Sequence, residues 1–180
     1  MTDLPDAGDR HVARVSRQPF PPYRYVPGVR PHPYRDPAGH SYRPQPISTR
    51  HPPWHAEQWR TLEAWLYGVD LFNNFYFWEA HEAWEGLWAV ADRGSAPAVM
   101  LQGLIQIAAA LLKTHMGVLA GARTLSREGI DKLRWAGAIE RRMLGLDLAA
   151  VASAFVGYFE PLRDGALPAI GPAVPVLRLR

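Results

Sequence analysis

The stretch LFNNFYFWEAHEAWEGLW, residues 71–88, decides the fold. It sets one histidine and three glutamates inside the densest aromatic run of the chain. Laid out at about 100° per residue, it reads as a helix. Phe77, Trp84 and Trp88 fall on one side of His81, Trp78 and Glu85 on the other, and Ala80 and Leu87 complete an apolar arc. His81 and Glu85 stand one turn apart within the aromatic face, with Glu82 at its rim. Glu79 points away towards solvent, near the helix N-terminus, where negative charge is favoured. Burying an unpaired charge is costly, so the segment signals either a functional site or a structural polar network.

Upstream, Trp59, Leu62, Leu66 and Val69 recur at steps of three and four and give a first helix one apolar face. Asn73 and Asn74 interrupt it, because their side chains compete for backbone hydrogen bonds. The second helix then runs from about Phe75 to Ala91. Ser95 caps a third helix, with Pro97 in its first turn. That helix is apolar on nearly every side from Ala96 to Leu112, apart from Gln102 and Gln106. It falls short of the roughly 20 residues of a membrane span and reads as a central or interface helix. Past Gly117, a fourth helix extends from about Val118 to Met143, and Asp147 caps a fifth that ends before Pro161. The fold expected is all-α: a compact bundle of about five helices over residues 57–165. An irregular arm over 1–56 precedes it and a tail over 166–180 follows.

Composition separates arm from bundle. Residues 1–56 hold twelve of the 17 prolines and five of the seven histidines, a density of proline that blocks helix and ladder alike. Aromatics are unusual in disordered tails, yet Phe20, Tyr23, Tyr25, Tyr34, Tyr42 and Trp54 punctuate this one. Part of the arm is therefore expected to lie against the helices or a neighbouring subunit. The arm carries eight arginines against four aspartates, while residues 57–180 carry twelve Lys/Arg against thirteen Asp/Glu. The near-neutral bundle lacks the basic face of a nucleic-acid-binding domain. Absence of cysteine excludes disulfides, thiolate metal sites and thiol nucleophiles, and fits a cytoplasmic protein. Neither a signal peptide nor a membrane span is apparent.

Gln102 and Gln106, one turn apart on an apolar surface, need partners for their amides. The economical arrangement sets the second and third helices antiparallel, with His81 and Glu85 facing the two glutamines and Asn73 and Tyr76 completing the network. His115 falls about 140° from Gln102 on a continuous helix and reaches the cluster only from another face. Phe72-Asn73, Glu79-Ala80-His81-Glu82, Glu85, Leu87-Trp88 and Leu101-Gln102-Gly103-Leu104-Ile105-Gln106 together resemble the domain of unknown function 309 family of bacteria and archaea. The resemblance spans about residues 58–160 and implies a compact helical domain with no established activity. It departs from the family pattern at Phe75, where a small residue is common.

Three functional readings follow. In the first, the polar groups form a satisfied network inside a non-enzymatic scaffold or interaction module, with the apolar third helix supporting a bundle or a homo-oligomer. In the second, Asn73, Tyr76, Trp78, Trp84, Trp88, Gln102 and Gln106 line a small-molecule pocket around His81 and Glu85. In the third, His81 and Glu85 ligate a divalent metal, with His115 or an arm histidine as third ligand and Glu82 as the general base of a hydrolase.

Overall fold

The computed structural model describes residues 2–6, 12–44 and 51–180. Five α-helices follow one another: α1 (Glu63–Asn73), α2 (Phe77–Trp88), α3 (Ala96–His115), α4 (Leu119–Ile139) and α5 (Leu148–Tyr158). Each packs on the next in the chain, and between α4 and α5 a small hairpin, β1 (Arg142–Met143) with β2 (Leu146–Asp147), reverses the direction. The bundle is all-helical, as expected.

The helices meet along stripes of small and apolar side chains. On α2 the stripe is Phe77, Ala80, Trp84 and Leu87, each 0% exposed; on α4 it is Ala122, Ser126, Gly129, Leu133 and Ala136. Ser95 Oγ accepts from Ala98 N at the start of α3, and Asp147 accepts from Ala150 N at the start of α5. Helix α3 has the length and hydropathy of a membrane span, but most of it is buried, against α2 and α4. Three boundaries differ from the sequence reading. Trp59 lies in a 3-10 turn (Ala56–Thr61) before α1. Helix α2 begins two residues later than expected and stops at Trp88. Helix α4 ends at Ile139 because residues 142–147 turn back on themselves, with Leu144 and Gly145 at φ 48° and 81°. Trp65 Nε1 donates to Leu144 O (3.1 Å) and holds that turn on the core.

Phe75 closes α1 in an unusual backbone conformation. Tyr76 N donates to Leu71 O and Phe75 N to Phe72 O, which is the Schellman ending of a helix and needs a left-handed residue between them. Phe75 fills that position at φ 65°. The conformation costs an L-residue about 1–2 kcal/mol. Burying its ring against Phe77, with 1% of the residue left exposed, offsets a cost of that size, since a fully buried Phe is worth about 1.5–3 kcal/mol.

Helices α3 and α4 approach closely at Gly103 and Gly129. A Cβ on Gly129 would lie 2.7 Å from Gly103 O, and one on Gly103 would lie 2.9 Å from Gly129 O. The obstacle in both cases is backbone, which cannot step aside. Gly157 on α5 faces open space. Gly129→Ala is therefore expected to lower stability by about 1–3 kcal/mol, and Gly157→Ala to raise it by about 0.4–1 kcal/mol, in chemical denaturation of the two variants beside the parent. Equal effects from both would refute the crossing as the constraint.

Candidate functional site

The outer side of the α1–α2 pair is covered by the arm, and two carboxylates hold it there. Asp70, 2% exposed on α1, accepts Val15 N at 2.9 Å and Ser16 N at 2.8 Å, with Arg14 Nε at 3.4 Å. Glu79, 6% exposed on α2, accepts Tyr25 N at 2.8 Å and faces His40 Nε2 at 3.2 Å. Along the same track Tyr67 OH donates to Pro19 O, Tyr76 OH to Pro21 O and Arg24 Nε to Asn74 O. Rings reinforce the seam: Phe20 stacks on Tyr76, while Tyr25, His32 and Tyr34 surround Trp78. Residues 14–42 thus form an irregular strap with no helix or strand, bonded to the bundle through its main chain.

This corrects the expectation for Glu79. An isolated helical wheel leaves it in solvent, but a segment about forty residues upstream folds over that face. Glu79 Oε2 is buried without a hydrogen bond among the described residues. Glu85, expected to be the buried member, has a side chain 47% exposed.

The expected network of His81 and Glu85 with Gln102 and Gln106 does not form. Gln106 Nε2 donates instead to Glu128 Oε2 on α4 (2.7 Å), and Gln102 is half-buried on α3 with no bond to either residue. Helix α3 turns these amides towards its other neighbour. Asn73 is committed elsewhere too. Its Nδ2 donates to Leu177 O and its Oδ1 accepts from Leu177 N, both at 2.9 Å. The side-chain amide pairs with the C-terminal tail as a strand backbone would. Trp84 is core, packed against Trp65 and Phe72 and 0% exposed. Trp88 packs on the core edge and Trp78 lies under the strap, so the aromatic residues do not line one pocket. His115 bonds Thr2 O at the far end of α3 and does not reach His81.

What remains together is His81, Glu82 and Glu85. One donor atom from each lies within 4.8 Å of the others. His81 Nδ1 is 3.4 Å from Glu82 Oε1, and Nε2 is 3.4 Å from Glu85 Oε1. The imidazole is thus flanked by a carboxylate on each nitrogen, yet Nδ1 is buried without an aligned hydrogen bond. The cluster is half open: the side chains of His81 and Glu82 are 24% and 28% exposed. His51 sits over the adjacent Gly86. The aromatic spacing of the arm led the sequence reading to expect part of it against the helices, and residues 14–42 do lie there; what that reading missed is the anchoring by Asp70 and Glu79, which carried no signal.

The class defined by these observations is an all-helical bundle with an irregular strap and a surface His–Glu cluster. Residues 65–125 match the family described as Domain of unknown function (DUF309), so the resemblance in the sequence is carried by α1, α2, α3 and the start of α4. The search of curated proteins finds no match to the chain.

The strap has a pH signature. The Tyr67 and Tyr76 hydroxyls are held above their ordinary value, chiefly by burial; Glu79 adds to this in both, and Arg14 and Arg24 respectively oppose it. A phenol whose folded pKa is raised contributes stability in full below its unfolded value of about 10, and loses it as pH rises through the folded value. Above pH 10 the strap is expected to loosen before the bundle melts, seen as faster proteolysis within residues 14–42 while far-ultraviolet circular dichroism holds. Tyr67→Phe with Tyr76→Phe should reduce that pH dependence and leave the part carried by Tyr25 and Tyr34, whose hydroxyls burial also raises.

Proposed function

We propose that this chain is a non-enzymatic, cytoplasmic helical module that holds one divalent transition metal at His81 and Glu85 for contact with a partner. The observation that carries the reading is the 3.4 Å between His81 Nε2 and Glu85 Oε1. With metal–ligand bonds of about 2.1 Å, two donors of a tetrahedral centre stand about 3.4 Å apart. Glu82 lies on the opposite nitrogen, where a carboxylate fixes the tautomer and turn of a ligating histidine. That position supports an orienting role and disfavours Glu82 as the base on a metal-bound water.

The non-enzymatic part rests on Glu82, the one carboxylate placed like a general base in the sequence, which faces the histidine's other nitrogen at 3.4 Å rather than the metal's open position. An open edge with two protein ligands leaves room for a further donor, which a partner supplies.

Zinc or manganese titrated into the untagged full chain by calorimetry, with the arm histidines controlled by a competing chelator, tests this. The expected result is one equivalent bound. His81→Ala and Glu85→Ala should abolish it, and Glu82→Gln should weaken it about 10–100-fold, as loss of an orienting partner does. Equal binding by the parent and His81→Ala would end the metal reading and leave the strap-clamped scaffold.

A further inference from the structure

A second site lies where the C-terminal tail closes over α5. We propose that the cleft there binds a small organic acid: one carboxylate or phosphate monoester on an apolar body about the size of one aromatic ring. The cleft encloses about 220 Å³. A cavity of about 150 Å³ accepts benzene, so this volume takes a ring with its acid group.

Its chemistry is divided as such a ligand requires. The floor is apolar, with Phe155, Val151 and Ala154 from α5 facing Pro175 and Val176 from the tail. The rim carries Arg142 from the hairpin and Arg178 and Arg180 from the tail. None of the three guanidinium groups is in an ion pair among the described residues, whereas Asp147, the carboxylate lining the cleft, is engaged by Arg141 and by Ala150 N. With a free carboxylate on Arg180 counted, the lining still carries net positive charge. Guanidinium is the side chain suited to planar, two-point recognition of carboxylate and phosphate. Three of them around an apolar floor repel one another until an anion enters.

The walls are also fixed in advance. The two Asn73–Leu177 bonds hold the tail from below, Arg180 N donates to Gly145 O across the top, and Trp65 Nε1 pins the hairpin through Leu144 O. Three elements distant in sequence are thereby held at one spacing, so binding does not bear the cost of ordering them.

The test is amide chemical-shift titration of the full chain with benzoate and with phenyl phosphate, beside benzamide and inorganic phosphate. Saturable shifts are expected at Gly145, Ala150, Val151 and Ala154 with the aryl anions. The stronger of the two identifies the head group. Benzamide and inorganic phosphate should each bind at least tenfold more weakly, one lacking the charge and the other the ring. Arg178→Gln with Arg180→Gln, both on exposed side chains, should weaken the aryl anion by about tenfold or more while leaving the remaining spectrum in place. The proposal is overturned if shifts do not saturate, if benzamide matches benzoate, if inorganic phosphate matches phenyl phosphate, or if the double variant binds as the parent does.

Discussion

Two buried carboxylates, Asp70 on α1 and Glu79 on α2, govern how the rest of this chain is arranged. Taking a carboxylate out of water costs several kcal/mol unless donors meet it. Here most of the donors are main-chain N–H groups of the arm: Val15 and Ser16 for Asp70, and Tyr25 for Glu79. Proline has no N–H to give, so the seven prolines within residues 14–42 contribute none. Other ties run the opposite way, from the Tyr67 and Tyr76 hydroxyls to carbonyls of the arm, while Arg24 of the arm donates to Asn74 O. A proline-rich segment that cannot form secondary structure is thereby satisfied hydrogen bond by hydrogen bond. Neither partner can be released without leaving the other short of partners, which couples the order of the arm to that of the first two helices.

This coupling divides α2 into regions with different duties. Glu79 faces the strap, Phe77, Ala80, Trp84 and Leu87 face the core, and His81, Glu82 and Glu85 are left on the remaining edge. Three glutamates within seven residues thus sit in three environments: one buried and clamped, one half-buried beside Nδ1, one exposed beside Nε2. Charge type alone does not distinguish them. What does is which chain segment covers each, and that is a tertiary fact.

The helices were legible because their signals are local. Ser95 and Asp147 cap where a hydroxyl and a carboxylate should, Asn73 and Asn74 mark the end of α1, and the spacing of Phe77, Ala80, Trp84 and Leu87 fits the core face of α2, though it set Glu85 inside and Glu79 outside. The site was legible only in part. His81 beside Glu85 follows from a spacing of four, and so it survives in the structure. The pairing of that face with Gln102 and Gln106 required knowing which neighbour α3 offers its amides to, and α4 rather than α2 receives Gln106. The hairpin at 142–147 escaped because its turn uses Leu144 in a left-handed conformation, a residue that gives no turn signal. Only Gly145 beside it hinted at the reversal.

The family match and the chain outside it meet at one corner. Asp70, Asn73, Tyr76, Trp78 and Glu79 all fall inside residues 65–125, yet each binds a segment beyond that range: Asn73 the C-terminal tail, the other four the arm. The turn between α1 and α2 is therefore the anchor for additions at both ends. Its backbone is already committed to a left-handed residue at Phe75 and to the Leu71–Tyr76 bond. An arm and a tail fixed to a rigid corner inherit its geometry. The His–Glu edge of α2 and the arginine-rimmed cleft behind the tail are consequently held in one frame, through Glu79 on one side and Asn73 on the other.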